Sequence, residues 1–297
     1  MNPWQRWLQA PQTSLFRRIL FQIHLWFALG CALYILLISF SGTALLLKSP
    51  FYSWFEPKFL EPVEGVEPLT GADLKERMAQ EYEGYELGFT VEGYEPEEAT
   101  YIVLQKDGEF IPHYFNQYTG EDIGPARPWT IRAVEWVAGF HYELGLPREQ
   151  GRRINGALGA VFIFMAISGL VIWWQGKRRW WEGLIIVPGS SRSMLWQLHS
   201  FFGFWFLLLI LAYGVTGYQL GFPREVGRIL EALGMESGRS GEGVMAFLRD
   251  LHFARLGGQN VFARWGWIFA TTIPAFMMIS GAVVWWKRVI KARINRG

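Results

Sequence analysis

The chain carries one cysteine, Cys31, among 297 residues. That excludes an internal disulfide framework, a cysteine-ligated zinc or iron–sulfur site, and the CxxCH signature of covalent haem attachment. No Gly-rich dinucleotide fingerprint follows a strand-like stretch, so the chain cannot take hydride from NADPH by itself. Histidine is scarce as well, five in all, and the net charge is only +2. Cys31 lies in the middle of an apolar run and reads as a small buried packing residue. Apolar side chains are what the sequence has in plenty: 51% is hydrophobic and 16 residues are Trp, yet 18% is charged. The two kinds must be segregated, as in a membrane protein with a substantial water-exposed part.

Apolar runs at 19–47, 154–174, 194–220 and 265–286 are each long enough to cross a bilayer, which takes about 20 helical residues. The first is too long for a signal-peptide core and no small-residue cleavage site follows it, so it reads as an uncleaved helix. Segment 175–192 has Lys177, Arg178, Arg179 and Arg192 against Glu182 alone, and the tail after Trp286 has five basic residues and no acid. Residues 48–140 instead hold 18 acidic and 7 basic residues. By the positive-inside rule, both termini and the 175–192 loop face the cytoplasm and the acidic segment lies outside. Trp173, Trp174, Trp285 and Trp286 then form an aromatic belt on the cytoplasmic side.

Two intervals recur within these runs. His24 and Gly42 are eighteen residues apart, and so are His199 and Gly217. In an unbroken helix that is five turns, about 27 Å, with His and Gly on one face at opposite membrane surfaces. Small residues recur on that face, Ala28 and Gly203 after the His and Ser39 and Gly214 before the Gly, leaving gaps that a flat guest could occupy. The second and fourth runs end alike, ISGLVIWWQGKR from Ile167 and ISGAVVWWKR from Ile279. His141 lies 28 residues before Gly169, and His252 lies 29 before Gly281. The expected fold class is a membrane all-α protein, a four-helix transmembrane bundle built from two parallel helix-pair repeats. Sidedness pairs His24 with His199 near the cytoplasmic face and His141 with His252 near the outer face.

Neutral imidazole is a good ligand for haem iron, and two of them fill both axial positions. The expected cofactors are therefore two non-covalent, bis-His haem b groups, the outer flanked by Gly42 and Gly217 and the inner by Gly169 and Gly281. Two-His sites without carboxylate or thiolate partners are poor zinc sites. Arg152, Arg153 and Arg264 precede the second and fourth helices on the outer side and could pair with haem propionates; snorkelling to the interface is the other reading. Arg17 and Arg18 read as topology determinants, His113 as outside the redox machinery, and Pro274 as a kink in the fourth helix.

Segment 51–128 reads as a small α+β domain inserted between helices 1 and 2. GADLKERMAQEY is an amphipathic helix with Thr70 as its cap, and YELGFTVEG, ATYIVLQKDGEF and IPHYFNQYTGEDIG alternate as strands. The expected organisation is a cytoplasmic lead and helix 1 over 1–50, the small domain over 51–128, a His-bearing segment and helix 2 over 129–175, a cytoplasmic loop and helix 3 over 176–220, and a second His-bearing segment, helix 4 and basic tail over 221–297.

An early His in helix 1, one outside domain ending in the YFNQYTGEDIG strand and turn, a W-x-x-x-x-H segment at Trp136 to His141 and helix ends of SG-x-x-x-WW type resemble the PepSY-associated transmembrane family. The likeness covers nearly the whole chain, with Asn116-Gln117 standing where the family has an Asp-Pro-like pair. Members of that family include inner-membrane ferric-siderophore reductases that hold two b-type haems between four principal helices. The resemblance implies that His24, His199, His141 and His252 are the axial ligands, that the small domain is periplasmic and PepSY-like, and that the chain is an oxidoreductase reducing Fe(III) in a ferric siderophore. The expected partners are that siderophore, a cytoplasmic or quinol electron donor and the lipid bilayer, with no nucleic acid. Two other readings stay open: a quinol-oxidising cytochrome b subunit for another periplasmic reductase, and a non-redox anchor whose PepSY domain binds peptides or inhibits a protease.

Overall fold

The computed structural model describes residues 3–56, 60–63, 65–93, 95–177, 179–188, 193–235, 239–257 and 260–290. The helices are α1 (Pro3–Gln9), α2 (Leu15–Gly30), α3 (Ala32–Leu45), α4 (Lys48–Phe55), α5 (Gly71–Glu81), α6 (Trp129–Glu143), α7 (Arg148–Trp173), α8 (Met194–Trp205), α9 (Leu207–Gly221), α10 (Pro223–Ala232), α11 (Arg239–His252) and α12 (Val261–Trp285). Strands β1 (Glu86–Val91), β2 (Thr100–Lys106), β3 (Glu109–Phe115) and β4 (Asp122–Pro125) stand between α5 and α6. The chain divides into two compact units, one of residues 1–46 with 138–297 and the other of residues 47–137.

In the smaller unit the strands form an antiparallel sheet in the order β1-β2-β3-β4. Thr70 accepts from the Asp73 amide while Asp73 accepts from the Thr70 amide, a reciprocal cap that starts α5. Helix α5 places Leu74 and Met78 on one face, and they bury against Ile102 and Phe115 of the sheet. Residues Asp107 (φ 51°) and Gly108 (φ 82°) turn β2 into β3, the two-residue loop that Asp-Gly favours because both positions need positive φ. Asn116 and Gln117 are spent on the turn beyond: Asn116 Oδ1 accepts from the Tyr118 and Thr119 amides, and Gln117 Nε2 donates to the Pro96 and Glu98 carbonyls.

The larger unit is helical. Two of its helices, α7 and α12, are long and apolar enough to cross a membrane, and there are four such spans if each of the bent pairs α2–α3 and α8–α9 counts as one. The straight five-turn helix expected between each His and its Gly is not what forms. Seven residues after His24 the chain bends by 59° at Cys31, and seven after His199 it bends by 63° at Phe206. Both residues take bridge-region dihedrals, φ −98°, ψ 5° and φ −103°, ψ 14°. The hydrogen-bond ladder survives the bend. Cys31 N–H donates to Phe27 and the Cys31 carbonyl accepts from Ile35, and Phe206 does the same between Phe202 and Ile210, each at 2.9 to 3.0 Å. Apolar surroundings demand this, because an unpaired backbone group there costs several kcal/mol. Pro274, expected to kink its helix, lies buried inside an α12 that runs unbroken; the breaks fall in two spans that contain no proline.

The bends redistribute partners. Before its bend α2 packs on α7, and beyond it α3 packs on α12; α8 packs on α12, and α9 returns to α7. The α7–α9 contact is backbone against backbone. A Cβ on Gly159 would lie 2.6 Å from the Tyr218 amide nitrogen, and one on Gly156 would lie 2.8 Å from the Gly221 Cα. Small residues at such a crossing replace the hydrophobic drive that lipid does not supply. At the α3–α12 contact the hydroxyls of Thr43 and Thr271 meet at 2.9 Å.

Gly159→Ala is expected to cost about 1–3 kcal/mol, the range for overpacking, and to lower the thermal unfolding temperature in detergent. Gly266→Ala, where an added Cβ meets nothing within 4 Å, is the control and should leave the temperature unchanged or raise it.

Candidate functional site: two histidine pairs

Each of four histidines is fixed by a hydroxyl on a neighbouring helix. His24 Nδ1 lies 2.8 Å from Ser168 Oγ, His199 Nδ1 2.8 Å from Ser280 Oγ, His141 Nδ1 2.9 Å from Ser41 Oγ, and His252 Nδ1 2.8 Å from Thr216 Oγ1. In every case the hydroxyl proton is already committed to a carbonyl of its own helix. Ser168 donates to Met165, Ser280 to Met277, Ser41 to Ile38 and Thr216 to Ala212, at 2.7 to 3.2 Å. With its proton so placed the oxygen accepts, an arrangement in which Nδ1 carries the proton and donates. Nε2 is left with its lone pair, the state in which an imidazole ligates a metal.

Each hydroxyl residue precedes a glycine, and the glycines explain the close docking. A Cβ on Gly42 would sit 3.0 Å from His141 Cε1, on Gly281 3.2 Å from His199 Cε1, and on Gly169 3.5 Å from His24 Cε1. The room that these three leave is thus taken in the first instance by an imidazole edge. Gly217 differs, since its nearest neighbour is the Gly159 Cα at 3.8 Å, and Gly214 likewise faces α7.

His141 and His252 come from the last turns of α6 and α11. The chain reverses directly after α6 through Leu144 (φ 57°) and Gly145 (φ 70°), and Gly151 of α7 lets the Glu143 carbonyl approach to within 1.9 Å of where a Cβ would stand. Asn155 Nδ2 donates to the His141 and Tyr142 carbonyls, while its Oδ1 accepts from the Tyr34 hydroxyl. These contacts hold the two rings with centroids 6.4 Å apart and planes at 45°. Burial, joined at His141 by the neighbouring His252, holds both imidazoles far below their ordinary value, at about 4, so both are neutral near pH 7.

His24 and His199 line one cavity of about 990 Å³ among α2, α7, α8 and α12, together with Gly169, Gly281, Ala28 and Gly203. Its walls are mainly apolar, with Gln12, Arg17, Gln22, Gln175, Arg179 and Ser200 as polar groups beside the two histidines. Arg17, assigned from the sequence to topology alone, is thus part of the cavity lining. The signal that could have found it was the repeat: Arg17 stands seven residues before His24, and Arg192, outside the described residues, stands seven before His199.

The other candidates lie elsewhere. Arg153 is exposed and pairs with Glu149 at 3.3 Å, Arg152 donates to the Leu220 carbonyl, and Arg264 sits in the first turn of α12. His113 donates from Nδ1 to Asp122 at 2.9 Å within the sheet, and Asp122 also accepts the Tyr82 hydroxyl. Among the described residues no group of three or more His, Cys, Asp and Glu is gathered as a metal-ion site. A pair of neutral imidazoles is a different donor set, suited to a metal whose remaining positions are filled by its own macrocycle.

The model of the PepSY-associated TM region matches residues 21–237 of the chain. No curated protein matches it. The matched span takes in three of the four hydroxyl-bound histidines, and His252 lies beyond it.

Thr216→Val keeps the side-chain shape but leaves the His252 N–H buried without an acceptor, at an expected cost of about 1–3 kcal/mol. Thr216→Ser restores the acceptor and should unfold close to the unaltered protein, measured by thermal melting in detergent.

Proposed function

Since the chain belongs to the family of PepSY-associated transmembrane regions and is a membrane protein, we propose that its two imidazole pairs each hold one haem b and that it carries electrons across the bilayer. The observation that carries this reading is the His141–His252 spacing. Two imidazoles on opposite sides of one metal atom, at metal–nitrogen distances of about 2.0–2.1 Å, have ring centroids about 6.3 Å apart, against the 6.4 Å found here. The fixed tautomers support it, because Nδ1 is engaged at all four histidines and Nε2 remains for iron. The 990 Å³ cavity between His24 and His199 supports it at the other level.

A haem held by each pair, His24 with His199 and His141 with His252, would supply single-electron transfer. The residues supply the rest. Ser41, Ser168, Thr216 and Ser280 orient the imidazoles, the adjacent glycines let them dock, and the apolar walls exclude water. In this reading the four spans form a bundle of two parallel repeats in a bacterial inner membrane. Both termini and the basic 175–192 loop are cytoplasmic, and the sheet-bearing unit is a periplasmic PepSY-like domain. Electrons pass from the cytoplasmic side or the quinone pool, through the His24/His199 level and then the His141/His252 level, to a periplasmic acceptor. A ferric siderophore is the acceptor the family resemblance suggests. Reduction to Fe(II) loosens the hold of hard oxygen ligands, and the chain is then a ferric-siderophore reductase.

The test is a reduced-minus-oxidised absorption spectrum of purified protein with a pyridine haemochrome assay. The expected content is two b-type haems per chain, one for each pair of imidazoles, and His199→Ala should lose one while keeping the other. Well-folded protein without haem, expressed with adequate haem supply, would move the assignment to a peptide-binding or inhibitory module.

A further inference from the structure

We propose that Arg17 is the anion-holding group of the cavity lined by His24 and His199, and that it takes a carboxylate carried by the cavity's occupant. The inference rests on the haem reading, in which that carboxylate is a haem propionate.

Arg17 stands seven residues before His24 on α2, two turns away on the same face, about 10.5 Å along the axis. Its side chain lines the cavity. One nitrogen, Nη2, donates to the Ile172 carbonyl, while Nε is buried without a partner. Among the described residues no carboxylate lies within ion-pair distance of it. The other guanidinium on the cavity is already neutralised: Arg179 donates to both oxygens of Glu182, at 2.9 and 3.0 Å. The nearby carboxamides carry no charge, and Gln12 is spent on the Gln175 carbonyl at 3.1 Å.

A half-buried, always charged group on an apolar cavity is unfavourable unless an anion meets it. Intramembrane or membrane-edge arginines accordingly face a partner or a pathway. The described residues offer Arg17 no counter-charge, so the anion must arrive with whatever fills the cavity. Guanidinium is matched to carboxylate geometry, and its free Nε–H is one prong of the bidentate fork.

The experiment compares haem b with its dimethyl ester, which lacks both carboxylate charges, in reconstitution of haem-free full-length protein. A His252→Ala background confines uptake to the inner pair. With Arg17 in place, haem should bind about ten- to a hundred-fold tighter than the ester, as a hydrogen bond to a charged group implies. Arg17→Gln should abolish the preference by weakening haem and leaving the ester unchanged, and Arg17→Lys should restore part of it. A preference undiminished in Arg17→Gln overturns the proposal. Equal affinity for haem and ester with Arg17 present also overturns it, assigning the guanidinium to another anion such as a lipid phosphate. Uptake of neither compound overturns the haem reading itself. In the chain with all histidines intact, Arg17→Gln should lower one of the two haem midpoint potentials, since a positive charge that favours the reduced form is lost. Two unmoved potentials would reject the assignment.

Discussion

A buried imidazole N–H needs an acceptor, and in this molecule each of four finds one in a hydroxyl whose own proton is already given to a helix carbonyl. Much of the larger unit follows from that requirement. A hydroxyl bonded back to its helix points along the helix surface, so the imidazole must come in close beside the backbone. The next residue is then glycine, because at Gly42, Gly169 and Gly281 a side chain would stand against the ring. The three Ser-Gly pairs here act as two-residue docking sites, one half binding the imidazole and the other facing its edge.

The bends at Cys31 and Phe206 serve the same geometry. Because α2 and α3 lean on different neighbours, His24 reaches Ser168 of α7 while Ser41, beyond the bend, is presented to His141. The second broken span does likewise, with His199 on α12 and Thr216 offered to His252. The two halves solve the crossing differently. Glycines bring α9 onto α7, whereas a hydroxyl pair links α3 to α12. Gly217 is therefore occupied with helix packing where its counterpart Gly42 abuts a histidine.

Apolar length and the paired His and Gly intervals made the membrane helices and the four histidines legible in the sequence, since both signals are periodic and local. The Thr70 cap and α5 were legible for the same reason, whereas the Asp107-Gly108 turn falls inside a stretch that alternates as one strand. The bends were not. Neither break contains proline, and at both the backbone hydrogen bonds persist, so local composition marks nothing. Ser41, Ser168, Thr216 and Ser280 were hidden because serine and threonine in a membrane helix read as small residues, and only the tertiary fold shows which imidazole each meets. Arg17 read from the sequence as a topology determinant, and its place on the cavity lining is added by the tertiary fold. That no carboxylate among the described residues reaches it is a three-dimensional fact.

The exchange of partners at the bends bears on how the chain is assembled. Helix α3 emerges before α7, α8 and α9, but the helix it leans on, α12, follows all three. The half of the first span beyond Cys31 must therefore wait in the bilayer for that partner, its Thr43 without the Thr271 hydroxyl, until α12 has been inserted. Neither the first helix pair nor the second is a self-sufficient folding unit, since α3 leans on α12 and α9 on α7.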